Sequence, residues 1–347
     1  MKFTFEDAVL DKIIIHKVGN KAAEENYYIA KEKTAVDDEI KNLLTNYFLS
    51  AFKSEELYHF FHDSNLDLNE VYSFVSDIFD DAKSLYDNSV NLAKHLYNQS
   101  VHPKIKGGEL YVVYFKDCTY DGETLDAVGL FKSENKETYL TVEQADDGFD
   151  IEKREGININ KLDKGCLIFN IEKEKGYVLT IVDNTNKGYE AQYWKDDFLN
   201  VLIINNEFQQ TNEFLGIAKR FVTERMPDTF EVSKADQIDI LNRSVEYFKS
   251  HEQFDKADFE NKVFQDNNVI DSFRDFDNFF RVENEVELPD SFDISPQAVK
   301  KQARVFKSVL KLDRNFHIYI HGNRNLIEQG VDENGRKYYK IYYQEES

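Results

Sequence analysis

Lys300, Arg304, Lys307 and Lys311 recur at steps of four, three and four residues. On an α-helix rising about 1.5 Å per residue, that spacing sets four cations along one side. Val299, Ala303, Phe306 and Leu310 repeat the spacing one position earlier, so an apolar stripe lies next to the basic one and the helix can pack on one face while presenting charge on the other. A row of like charges repels itself mildly, and an anionic partner relieves the repulsion. Contacts from such a row to phosphates position a protein on DNA without reading its sequence. The candidate DNA-binding residues are therefore Lys300, Arg304, Lys307 and Lys311, supported by Lys301, Arg314 and Arg324.

The charge distribution gives this reading its force and its difficulty. The chain carries a net charge of −22, whereas a protein that displaces counterions from phosphates is usually basic, at least locally. Residues 297–340 hold ten basic and four acidic residues, a local excess of six, which leaves the remainder at −28. A competing reading is bland: lysines and arginines often decorate a solvated helix face, and here the acids of the same chain could neutralise them. Residues 251–290 carry twelve acids against four bases, enough to shield a basic helix if they fold over it.

Other chemistry finds little support. There is no P-loop, no GxGxxG after a strand and no GxSxG elbow. His59 and His62 stand three apart on a predicted helix, and His317 and His321 share one side of a predicted strand. A metal site needs three or four ligands, and nothing in the sequence completes either pair, so we expect no metal, no cofactor and no catalytic residue. Cys118 and Cys166 form no CxxC pair and are expected as buried free thiols in a reducing compartment. Acids are so abundant that some pair will always look catalytic, yet no ordered acid–acid–Lys constellation for metal-assisted hydrolysis stands out.

The elements that must position these residues can be read from periodicity. Ile13, Ile14 and Ile15 form a short apolar run before Gly19-Asn20, with Tyr27–Ala30 as a hairpin partner, and Ile40, Leu43, Leu44, Tyr47 and Phe48 recur at helical spacing, as do Tyr86, Val90, Ala93 and Tyr97. From residue 107 to 183, β-forming runs alternate with turn signals at Asp121-Gly122, Asp147-Gly148 and Lys175-Gly176, which predicts an antiparallel meander. Beyond Trp194 the pattern is helical. Ser233 and Asp236 resemble a capping box, and Ser295-Pro296 joins an N-cap to a proline at the first helical position, opening a helix expected to run to about Leu312. Phe316, Ile318 and Ile320 then alternate as a strand, and Asn334-Gly335 turns the chain into Lys337–Tyr343.

We therefore expect an α+β fold, with a mixed region holding the antiparallel sheet and its flanking helices over residues 1–200, and a mainly helical region with the basic helix and a terminal β-hairpin over 201–347. No apolar run approaches the roughly 20 residues of a membrane helix. The first residues lack a continuous apolar stretch and a small-residue cleavage site, so a cytoplasmic protein without membrane contact is expected.

Five segments carry a family likeness: GGELYVVYF at 107–115, KLDKGCLIFN at 161–170, YWKDDFLNV at 193–201, SFDISPQAVKKQARVFKSVLKLDRNFHIYIHGN at 291–323 and GVDENGRKYYKIYY at 330–343. Their order and spread resemble the bacterial 37-kilodalton nucleoid-associated protein family across essentially the whole chain. The resemblance implies a cytoplasmic, nucleoid-associated protein that binds double-stranded DNA. It brings no set of functional residues to transfer, so the candidate contacts rest on charge placement alone. The strong acidity departs from the simplest picture of a DNA-coating protein. It keeps open a second class of partner, namely nucleoid and DNA-processing proteins bound by an acidic interaction surface. A metal-dependent nuclease ranks last of the three.

Overall fold

A computed structural model describes residues 3–32, 34–185, 193–304, 306, 309–320 and 326–345. The chain divides into two units, Met1–Ile204 and Asn205–Ser347, and its class is α+β.

The first unit is built on an eight-stranded antiparallel sheet. Its strands are β1 (Phe3–Thr4), β2 (Val9–Val18), β3 (Tyr58–Phe60), β4 (Gly108–Tyr120), β5 (Glu123–Ser133), β8 (Lys164–Phe169), β9 (Val178–Asp183) and β10 (Val201–Ile203). Their order is β1-β4-β5-β8-β9-β3-β10, with β2 also paired to β4. Alternation along β4 sends Val112 and Tyr114 into one core and Tyr111, Val113 and Phe115 into another, as a strand buried on both faces requires. Residues of helices α2 (Glu70–Asp80) and α3 (Leu85–Gln99) belong to the first core, and residues of α1 (Asp38–Leu49) to the second. Asp121 and Gly122 both have positive φ at the β4–β5 turn, the geometry Asp-Gly favours. At Gly176 a φ of +100° and a Phe60 carbonyl 2.4 Å from where a Cβ would lie demand glycine.

The expected meander is interrupted. β5 pairs with β8, while β6 (Glu137–Ala145) and β7 (Gly148–Gly156) form a separate two-stranded hairpin. Polar or charged residues separate the apolar ones on both strands, which leaves no wholly apolar strand to insert into the sheet. The β2–Tyr28 partnership reduces to one bridge between Lys17 and Tyr28. His59 lies on strand β3 and not on a helix, its Nδ1 2.5 Å from the Tyr177 carbonyl. Cys118 and Cys166 are buried free thiols. Burial, with Asp126 and Asp117 nearby, pushes the Cys118 thiol up to about 12.

The second unit is mainly helical: α4 (Glu207–Arg220), α5 (Met226–Thr229), α6 (Lys234–Ser250), α7 (Lys256–Phe259), α8 (Asn267–Glu283) and α9 (Pro296–Ala303). A short ladder of β11 (Gln253–Asp255) and β12 (Ser291–Asp293) ties it together. Its core is a cluster of rings in which Phe214 lies 4.2 Å from Phe254 and 5.0 Å from Phe259, centroid to centroid. Ser233 and Asp236 make the reciprocal capping box that opens α6.

The helix opened by Pro296 is shorter than its periodicity implies. It ends at Ala303, and Val309–Leu312 is a strand, β13, paired with β14 (Phe316–Tyr319). The alternating run Phe316-His317-Ile318-Tyr319 needs a partner strand, and Asp313, with φ of 50°, turns the chain so that Leu310 meets Ile318. That register buries Leu310 with Ile320 and Ile327, which a continued helix would not do. The terminal hairpin consists of β15 (Ile327–Val331) and β16 (Lys337–Ile341) around Asn334-Gly335.

Candidate nucleic-acid interface

Ser295 caps α9 by accepting from the Ala298 amide, and Pro296 occupies the first turn. Ala298 and Val299 are buried, at 0% and 3% exposure, and Val299 joins the phenylalanine core. The Thr211 hydroxyl accepts from the Ser295 amide at 3.0 Å, and the Gln302 amide donates to the Asn212 side chain. With that face fixed on α4, Lys300, Lys301 and Arg304 project from the C-terminal end and are exposed. Cations there also complement the helix dipole, which by itself gives them a structural role.

Lys300 and Arg304 meet Lys249, from the last turn of α6, around a cleft of about 360 Å³ floored by Pro296, Val299 and Ala303. Lys249 was not singled out from the sequence. Its neighbour Glu246 lies 3.9 Å away, and only the packing of α6 beside α9 brings it to the cleft. Lys301 is held over the Phe208 ring, 5.3 Å from its centroid.

Lys311 is not on the helix. It lies on β13 directly opposite His317, on the face away from Leu310, so Lys311, His317 and Tyr319 form an exposed surface. Arg314, also exposed, sits in the turn between β13 and β14. The described members of the single ridge expected of Lys300, Arg304, Lys307 and Lys311 thus fall into two groups, Lys300 and Arg304 at the end of α9 and Lys311 on a hairpin. Lys307 and Arg324 lie outside the described residues, as does His321.

Neutralisation by the acidic segment is a separate question, and the contacts answer it for the described cations. Among the described residues, no carboxylate pairs with Lys300, Arg304, Lys311 or Arg314. The four bases of residues 251–290 are instead consumed inside that segment. Asp277, fully buried, binds Lys256 at 2.6 Å and Arg281 at 2.7 Å. Glu260 binds Arg274 at 2.7 Å, and Asp258 binds Lys262 at 2.8 Å. The hydrogen bond from Lys262 is the main cause holding the Asp258 carboxyl below its ordinary range.

No group of three or more His, Cys, Asp or Glu side chains among the described residues is placed to hold a metal ion. The geometry offers exposed cations on a helix end and a hairpin, an apolar cleft floor and a neighbouring histidine and tyrosine, a set able to contact an anionic polymer at several points. The model of the family NA37, described as nucleoid-associated protein YejK, matches residues 14–336. No curated protein matches the chain.

Proposed function

We propose that this chain, which belongs to the NA37 family of nucleoid-associated proteins, binds the phosphate backbone of double-stranded DNA with little sequence preference and without catalysis. Membership implies a nucleoid, and therefore cytoplasmic, location. Among the described residues no helix is long and apolar enough to cross a membrane. The observation that carries the reading is that Lys300, Arg304, Lys311 and Arg314 are exposed and have no carboxylate partner among the described residues, in a chain of net charge −22. Lys301, Lys307 and Arg324 complete the proposed set. Cations left without carboxylates among the described residues are open to an anionic partner, and the duplex backbone offers evenly spaced charges to both groups. Binding of a labelled duplex by the full chain, and its loss when Lys300, Arg304, Lys311 and Arg314 are changed together to Gln, tests the reading. Equal binding by the variant removes these residues from it.

A second reading is supported by the β6–β7 hairpin. Its register sets Leu140, Val142, Phe149 and Ile151 on one face, where they are 65%, 60%, 72% and 66% exposed. Exposed apolar surface of this kind marks contact sites. Seven acids against two bases within 137–156 favour a partner whose apolar surface is rimmed by Lys and Arg, such as a DNA-processing protein. Capture of such a protein from nuclease-treated extract, lost on Phe149→Ser, is the expected result. Capture that depends on nucleic acid counts against it.

A further inference from the structure

Lys132 and Lys164 flank the apolar runs Ala127–Phe131 and Gly165–Phe169 of two strands of the central sheet, and the β5–β8 register sets them directly opposite each other. Both are 0% exposed. Like charges face to face on a sheet destabilise it, and burying each ammonium adds a desolvation cost that apolar residues would avoid. Nothing in the proposed DNA contact uses them, so their placement asks for another explanation.

Their surroundings supply one. Lys132 Nζ donates to Glu134 Oε1 at 3.0 Å, to the Tyr193 hydroxyl at 3.0 Å and to the Lys106 carbonyl at 2.6 Å. Lys164 Nζ donates to Asp183 Oδ2 and Thr185 Oγ1, each at 2.7 Å, and lies 4.0 Å from Glu134 Oε2. The Tyr193 hydroxyl donates to Glu134 Oε1 at 2.8 Å. Asp163 is equally occupied, accepting from the Glu134 amide, the Asn135 amide and the Asn135 side chain at 2.7, 2.8 and 2.9 Å. Each carboxylate in the cluster is thereby committed to donors within it.

Glu134 and Thr185 also line a cavity of about 260 Å³, and three further lysines, Lys104, Lys106 and Lys161, stand around it. Among the described residues that line it, Glu134 is the one carboxylate, and Lys132 and the Tyr193 hydroxyl already hold it. The volume lies just below the range of roughly 300–1,000 Å³ common for drug-sized ligands, which suits a small anion and excludes a duplex. We propose that this cavity is a binding site for a phosphate-type oxyanion, held by the rim lysines, with Lys132 and Lys164 neutralising the carboxylates behind them. The anion is either free phosphate, alone or on a mononucleotide, or the terminal phosphate of a DNA end. The site lies wholly in the first unit and does not depend on the duplex contact proposed for the second.

Calorimetric titration of the full chain tests it, with inorganic phosphate, a nucleoside monophosphate, and short duplexes carrying either a 5′-phosphate or a 5′-hydroxyl. Saturable one-to-one binding of phosphate is expected. Lys106→Gln with Lys161→Gln, both exposed rim positions, should weaken it by roughly tenfold or more, the loss expected of a charge-assisted hydrogen bond. The quadruple Gln variant at Lys300, Arg304, Lys311 and Arg314 should bind phosphate as the native chain does. A preference for the phosphorylated duplex that the rim variant loses assigns the DNA end as the source. Equal duplexes with tight mononucleotide binding assign the free ligand. Absence of saturable phosphate binding in the millimolar range, or affinity unmoved by the rim substitutions, overturns the proposal.

Discussion

Breaking the basic residues into two groups makes the salt dependence of DNA binding a divided quantity. Each phosphate contact on B-DNA contributes about −0.9 to the slope of log affinity against log salt. Five described candidates, Lys300, Lys301, Arg304, Lys311 and Arg314, contribute up to about −4.5 to that slope, so through them alone a fourfold rise in salt should weaken binding by up to roughly 500-fold. Changing Lys300, Lys301 and Arg304 to Gln should reduce the slope by up to about 2.7, and changing Lys311 and Arg314 by up to about 1.8. All five are exposed, so these substitutions leave the cores intact. Lys301, over the Phe208 ring, should account for the least of the first effect. Fluorescence anisotropy of a labelled duplex between about 50 and 200 mM salt reads both slopes. A native slope near zero, or both variants retaining the full native slope, refutes the reasoning. A change confined to one group assigns the contact to it.

The remaining predictions concern the frame that holds these groups. Asp277→Ala removes the buried partner of Lys256 and Arg281 and should cost about 3–5 kcal/mol, read as a lower urea midpoint. Leu310→Ala, at a side chain 4% exposed, should cost about 2–5 kcal/mol if β13 packs as described; a loss below about 1 kcal/mol, the size of a surface change, would contradict the strand. Burial lowers His16 to about 4. Its Nδ1 accepts from the Ala30 amide and its Nε2 donates to Ser89 Oγ, which itself donates to the Tyr86 carbonyl. Because the folded-state value lies below the ordinary 6.5, the unfolded chain binds the extra proton first. The His16 contribution is therefore complete above about pH 6.5 and is lost as pH falls through about 4. Urea denaturation across that window should show a smaller acid loss in His16→Gln than in the native chain; equal losses would contradict the assignment.

Local signals in the sequence located most elements, and failures came where pairing overrides periodicity. Ser233 with Asp236, Ser295 with Pro296, and Asp121-Gly122 act within a few residues, so their caps and turn could be read directly. The run from Val299 to Leu310 fits a helix by spacing, yet its last residues are claimed by a strand that lies later in the chain. Helical spacing cannot reveal that competition, because the stabilising contact, Leu310 against Ile318, is set by a turn at Asp313. The same reason hid Lys132 and Lys164. Each looks like a lone charge at a strand end, and only the β5–β8 register and the packing of Tyr193 assemble them with Glu134. Lys249 joins Lys300 and Arg304 through helix packing alone.

A net charge of −22 looks incompatible with gripping a polyanion only if charge is treated as uniform. Screening over about 8 Å at physiological ionic strength confines each contact to its immediate surroundings. There the decisive fact is how the acids of residues 251–290 spend their charge. Asp277, Glu260 and Asp258 are tied to Lys256, Arg281, Arg274 and Lys262, and none pairs with Lys300, Arg304, Lys311 or Arg314. Shielding of the cations would then have to come from exposed acids such as Glu283, Glu285 and Glu287 acting through solvent, where each interaction is weak. Changing those three to Gln should leave duplex affinity within about threefold of native at 150 mM salt, since a surface charge effect amounts to a fraction of a kcal/mol. A gain of tenfold or more would show that the segment does hold DNA off, and the independence of the two charge systems argued from their ion pairs would fail.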